Sequence, residues 1–181
     1  MDTAPILWVV MGVSGSGKST LAVALADAFG LEYADGDDFH SSESVAKMQA
    51  GIALNDEDRW PWLDRIGEHL RMFSSEEHSA RGRVVACSAL KRAYRDRIRR
   101  AAPGVHFLFL NGDSAQIRER LGARQNHFMH PELLQSQLAT LECPESDERD
   151  VTELNLGRSV QDLVAVVRTS FQLLDRRVAI E

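Results

Sequence analysis

Residues 12–19 read Gly12-Val13-Ser14-Gly15-Ser16-Gly17-Lys18-Ser19, the spacing G-x-x-x-x-G-K-[ST]. Glycines in such a run let the backbone turn tightly and aim its N–H groups at phosphate oxygens. A helix that opens on the loop adds partial positive charge at the same point. Lys18 reaches toward the β- and γ-phosphates, Ser19 offers a hydroxyl to Mg²⁺, and Thr20 continues the nucleotide-binding set. A glycine turn without a ligand is the plain alternative. The apolar run Ile6–Met11 before the loop and the helical pattern after it argue for a bound nucleoside triphosphate instead.

Other groups could complete a phosphoryl transfer. Asp35 and Asp37 end a short apolar segment two residues apart. Asp35 could hold Mg²⁺ through water, and Asp37 could accept the proton of an attacking hydroxyl. The alternative is an Asp-Gly turn with two solvated acids. Ser88, Lys91 and Arg95 follow another apolar run, with the two cations one helical turn apart. Arg59 stands in the polar stretch Asn55–Trp62, where it could bind a carboxylate through both nitrogens. That stretch also reads as a capped helix start, with Asn55 as cap and Pro61 opening a further helix. Arg120 and Arg124 border a short polar connection, from which an arginine could close on the transferring phosphoryl group. His127 and His130 have no metal-ligand cluster around them, which argues against zinc.

These groups need a scaffold that gathers them, and the apolar patterning supplies one. Strands are predicted over 6–11, 31–35, 84–88, 105–110 and 150–155. Helices are predicted over about 18–29, 90–101, 114–123 and 159–175. The alternation predicts an α/β protein: a P-loop NTPase-type three-layer α/β/α domain around a five-stranded parallel sheet. Ligands in such sheets bind beyond the C-terminal strand ends, where the loop, Asp35 and Ser88 all lie. A longer helical connection, about 38–82, fits a substrate-binding insertion, and about 124–131 fits a short lid.

Residues 1–181 suit a single domain. A net charge of −6 argues against a general nucleic-acid binder. No apolar run approaches a membrane span, and the N-terminus has no positive segment of the signal-peptide kind. Two cysteines, one inside an apolar run, fit unpaired thiols in a reducing cytoplasm.

The loop, Asp35-Gly36-Asp37 with His40, Leu54-Asn55-Asp56 with Asp58-Arg59, Pro61-Trp62-Leu63, Cys87-Ser88-Ala89-Leu90-Lys91 with Tyr94-Arg95-Asp96, His127-Phe128-Met129 and Ser136-Gln137 together resemble the gluconate kinases, a branch of the shikimate-kinase-like P-loop kinases. The resemblance spans nearly all of residues 9–145. It implies ATP, Mg²⁺, phosphorylation of D-gluconate at its terminal hydroxyl, and a homodimer. It also implies that His40, Arg59, Ser88, Lys91 and Arg95 meet the substrate and that Asp37 orients the reacting hydroxyl. Residues 148–160 are more polar than the family's last strand. A related kinase acting on shikimate or a nucleotide is the rival reading. Shikimate kinases carry a glycine-rich turn where Ser88-Ala89-Leu90-Lys91 stands, whereas topology alone leaves nucleotide kinases open. A guanine-nucleotide switch would need an Asn-Lys-x-Asp motif, which the sequence lacks.

Overall fold

The computed structural model describes residues 4–73, 80–113, 115–117 and 131–178. β1 (Ile6–Met11) leads through the glycine loop to α1 (Lys18–Phe29), and β2 (Glu32–Asp35) runs into a 3-10 turn, Gly36–Phe39. α2 (Ser42–Gln49) and α3 (Asp56–Arg71) form the long connection to β3 (Gly82–Ala86). α4 (Arg92–Ala101), β4 (His106–Asn111), α5 (Pro131–Thr140), β5 (Val151–Asn155) and α6 (Val160–Val178) follow. The five strands are parallel, in the order β2-β3-β1-β4-β5. The three-layer architecture predicted from the sequence is the one observed. The helix expected at about 114–123 and the connection at about 124–131 fall largely outside the described residues.

β1 is central and wholly buried. Its residues alternate between two cores because successive side chains point to opposite faces. Ile6, Trp8 and Val10 pack with Leu21 and Leu25 of α1 and Leu163 and Val167 of α6. Leu7, Val9 and Met11 pack with Leu63, Ile66 and Leu70 of α3 and Ile98 of α4. β5 is polar because it is an edge strand that pairs with β4 alone.

Three local readings change. β3 ends at Ala86, so Cys87 and Ser88 lie beyond the strand rather than in it. α4 starts at Arg92 with Lys91 as its N-cap residue, two residues later than the predicted start at about 90. Between them Ala89 takes a left-handed φ of 43°, which prevents the chain from entering a helix at Leu90. Pro61 opens no new helix. It lies inside the 16-residue α3, in the second turn, where only one early carbonyl loses its partner. Asn55 caps α3 as expected, in a reciprocal box with Asp58.

Candidate active site

The loop, the β2 end and the tail of β3 meet beyond the C-terminal ends of the strands. They surround a cavity of about 290 Å³. Ser14, Gly15, Gly17, Lys18 and Ser19 form one wall; Asp35, Asp37 and Ser88 face them. Gly17 adopts a left-handed φ of 97°, and α1 begins without a side-chain cap. Its first N–H groups are therefore directed at the cavity, an arrangement that suits phosphate. Lys18 Nζ donates to the Val13 carbonyl at 3.0 Å, folded back along its own loop.

Asp35 faces the first turn of α1 across the cavity. Ser19 Oγ lies 3.3 Å from Asp35 Oδ2, and Tyr33 donates to the same oxygen at 3.1 Å. Adjacent ligands of an octahedral Mg²⁺ with bonds of about 2.1 Å lie roughly 3 Å apart, so this oxygen pair fits the ion. Among the described residues no group of three or more His, Cys, Asp or Glu could hold a metal ion. Phosphate oxygens and water would supply the remaining ligands. Asp113 follows the apolar β4 but caps the next turn, accepting from Gln116 N at 2.7 Å.

Asp37 is held by the backbone and left open by its side chain. Its N–H donates to Asp35 Oδ1 at 3.1 Å, and its carboxylate is 88% exposed. Gly36 makes this turn possible, since a Cβ there would lie 2.5 Å from the Ala86 carbonyl. α3 grips both sides of the turn. Trp62 Nε1 donates to the Gly36 carbonyl at 2.6 Å, and Arg65 Nε to the Phe39 carbonyl at 2.7 Å. The helical insertion therefore aims the candidate base.

His40 does not stand ready for a substrate carboxylate. Its side chain is 6% exposed and stacks on Trp62 at 4.5 Å. Burial pushes its pKa below the ordinary 6.5, which leaves a neutral ring at pH 7. It lies 4.0 Å from Asp37 Oδ1 and packs behind that carboxylate.

Arg59 and Lys91 do come together, on a carboxylate that sequence reasoning did not single out. Lys91 Nζ donates to both oxygens of Asp56, at 2.9 and 2.8 Å. Tyr94 donates to Asp56 Oδ1 at 2.5 Å and accepts from Arg59 Nη1 at 3.2 Å. The Lys91 and Tyr94 hydrogen bonds hold the Asp56 carboxyl below its usual range. Arg59 is within electrostatic reach of His40, which links this cluster to the Asp37 turn.

Arg95 departs from expectation. Its guanidinium is 0% exposed and forms a two-pronged pair with Glu148, at 2.8 and 2.6 Å. Nη1 donates to the carbonyls of Ala89, Leu90 and Glu142 at 3.3, 3.2 and 3.1 Å. With these partners the group is enclosed and cannot meet a substrate. Its register explains this: Tyr94 and Ile98 are buried on the same helix face. Arg120 and Arg124 lie outside the described residues.

Gln137 was also missed. From α5 its Oε1 accepts the Ser14 N–H at 2.6 Å, and it lines the cavity. No local pattern signals a contact across 123 residues of chain. Cys87 is buried beside the site, where burial raises its thiol to about 12 and keeps it protonated.

A family model described as an AAA domain matches residues 7–144. The thermosensitive gluconokinase of Escherichia coli (strain K12) is 39% identical over 161 residues, covering 89% of this chain and 84% of that relative. The crystal structure of a gluconokinase from Sinorhizobium meliloti 1021 is 40% identical, with a TM-score of 0.82 over 99% of this chain and 98% of that one. Shikimate kinase from Aquifex aeolicus vf5 is a likeness of fold alone, with 12% identity and a TM-score of 0.55 over 92% of this chain and 96% of that one. The rival reading thus keeps the architecture but little of the sequence. Similarity over nearly the full length of several relatives carries more than architecture, and the chain belongs to the gluconokinase family of P-loop kinases.

Proposed function

We propose that the protein transfers the γ-phosphoryl group of ATP to the terminal hydroxyl of D-gluconate, giving 6-phospho-D-gluconate and ADP. The observation that carries this is the exposed Asp37 carboxylate, which lines the same cavity as Lys18 and the loop amides. The hydroxyl oxygen bonds to the γ-phosphorus as the bond to the ADP oxygen breaks, and Asp37 takes the hydroxyl proton. The loop amides and Lys18 bind the phosphate oxygens and stabilise their charge. Ser19 and Asp35 would hold Mg²⁺, which would neutralise phosphate charge when bound. Arg59 and Lys91 receive the substrate carboxylate beside Asp56, and Ser88 meets a hydroxyl. Arg124, with Arg120, belongs to the nucleotide side and stabilises the transferring group from the short connection. A gluconate-consuming role in carbohydrate acid catabolism, a homodimer and a cytoplasmic location complete the reading. Two unpaired cysteines suit that location, and light scattering tests the dimer.

A coupled ADP-release assay with Mg-ATP, run with D-gluconate, shikimate, AMP or no acceptor, tests the function. Release that depends on gluconate supports it. Release with another acceptor, or none, removes the substrate assignment while leaving the kinase fold intact.

Two variants test the roles. Lys91→Met should raise the KM for gluconate roughly 10- to 100-fold, the loss of one charged hydrogen bond, with ATP affinity nearly unchanged. An unchanged gluconate KM would place the carboxylate elsewhere. Asp35→Asn should raise the Mg²⁺ concentration for half-maximal rate by roughly tenfold or more, as loss of a metal-supporting group does. An unaltered Mg²⁺ titration would take Asp35 out of that role.

A further inference from the structure

We propose that Arg95 is a positioning residue for the acceptor side of the reaction: it holds the Ser88–Lys91 turn in the shape that presents Ser88 and Lys91. The proposal rests on the acceptor-side reading of those two residues.

The turn has two demands that its own sequence does not meet. Ala89 takes a left-handed φ of 43°, a conformation that a residue with a Cβ adopts only when its surroundings impose it. The carbonyls of Ala89 and Leu90 both face the interior, where each needs a donor; Leu90 has Glu142 N as one, and Ala89 depends on Arg95. Arg95 Nη1 reaches both, and reaches the Glu142 carbonyl as well. Nε and Nη2 are fixed on the Glu148 carboxylate, so the guanidinium plane cannot rotate away. A lysine could not replace it, because an ammonium has no planar fork serving two directions at once.

The clasp joins more than the turn. Glu142 N donates to the Leu90 carbonyl at 2.9 Å, and Arg92 N to Glu142 Oε2 at 2.6 Å. Glu142 lies two residues past the end of α5, the helix whose Gln137 accepts from Ser14. At the other end of the turn, the Ser88 carbonyl accepts Gly12 N at 3.3 Å, and Lys91 grips Asp56. One buried guanidinium thus fixes the turn between the phosphate loop and the acceptor cluster. Without it, Ala89 relaxes toward negative φ and carries Ser88 and Lys91 with it.

The test separates positioning from mere stability. In the pair Arg95→Met/Glu148→Leu neither charge is left facing a missing partner, and Arg99, which also pairs with Glu148, keeps Asp96 and Asp150, so the fold should be retained. Its gluconate KM should rise at least tenfold, while the ATP dissociation constant, measured without acceptor, changes less than threefold. Adding Ala89→Gly, which permits the left-handed turn without outside help, should recover a good part of the gluconate KM. Should the pair not fold, Arg95→Lys gives the same comparison with the buried charge kept. A folded variant with unchanged gluconate KM overturns the proposal. So does an equal loss for ATP and gluconate that Ala89→Gly does not rescue, which would mark a structural residue only. Lys91→Met and Ser88→Ala serve as the reference. If they leave the gluconate KM unchanged, the acceptor-side reading has failed. If they raise it and the Arg95 variants do not, this proposal alone has failed.

Discussion

Asp37→Asn should lower kcat by roughly 10²- to 10⁴-fold, the range a positioned general base supplies, while ATP binds almost as before. The substitution keeps the shape of the side chain and the backbone N–H that donates to Asp35. It removes only the capacity to take a proton. The turn itself is fixed by Trp62, Arg65 and the fit of Gly36 against Ala86, so the variant should stay folded. Steady-state ADP release, with an equilibrium ATP titration beside it, checks both halves. Undiminished turnover would remove Asp37 as the base. A parallel collapse of ATP binding would mean that the carboxylate organises the nucleotide instead.

Glu148→Gln should be the most destabilising of the single changes considered. The Glu148 side chain is 1% exposed and pairs with both Arg95 and Arg99. Removing its charge strands a fully buried guanidinium, a loss on the order of 3–5 kcal/mol. For a chain of this size that corresponds to a fall in Tm of roughly 6–20 °C. A shift of only a degree or two would mean that water or Asp150 takes over the pairing.

The same pair predicts an acid limb in stability. Burial pushes the Glu148 carboxyl up, but the Arg95 and Arg99 hydrogen bonds outweigh it and hold it down at about 2, against an ordinary 4.5. The folded state therefore releases this proton more readily than the unfolded chain does. Its contribution is complete above pH 4.5 and is lost as the pH falls toward 2. The difference is worth about 3 kcal/mol. The stability gap between the protein and its Glu148→Gln variant should narrow over that window, as denaturant melts at stepped pH would record. A gap that stays constant would place the missing stability in shape rather than charge.

The legibility of this chain followed the range of each interaction. β1, the glycine loop and α1 were readable because their pattern is local: a buried strand, a fixed spacing and a helical repeat. The place of Asp35 and Asp37 in the cavity wall was readable because the strand ends of a parallel sheet border its clefts. Arg95 was misread because α4 carries many cations and only its register tells them apart. Position 95 shares the inward face with Tyr94 and Ile98, so its burial could have been inferred from spacing. Its partner could not, because Glu148 is 53 residues away. The start of α4 was misplaced because nothing in Ser88-Ala89-Leu90 signals a left-handed alanine. That conformation depends on carbonyl partners outside the segment. Asp56 was hidden in plain composition: three acids open α3 and suit its dipole, and only the fold selects which one meets Lys91.

The uncapped start of α1 makes the nucleotide part of the secondary structure. Most helices carry their own first-turn acceptor, and Asn55 does so for α3. α1 opens on Gly17, which has no side chain to offer, and has no acid in its first turn. In the proposed function the phosphates of ATP supply the missing acceptor. With the site empty the first turn of this helix lacks that acceptor, so its amides should exchange with deuterium sooner than when nucleotide is bound. Each binding event finishes the helix, and each product release unfinishes it.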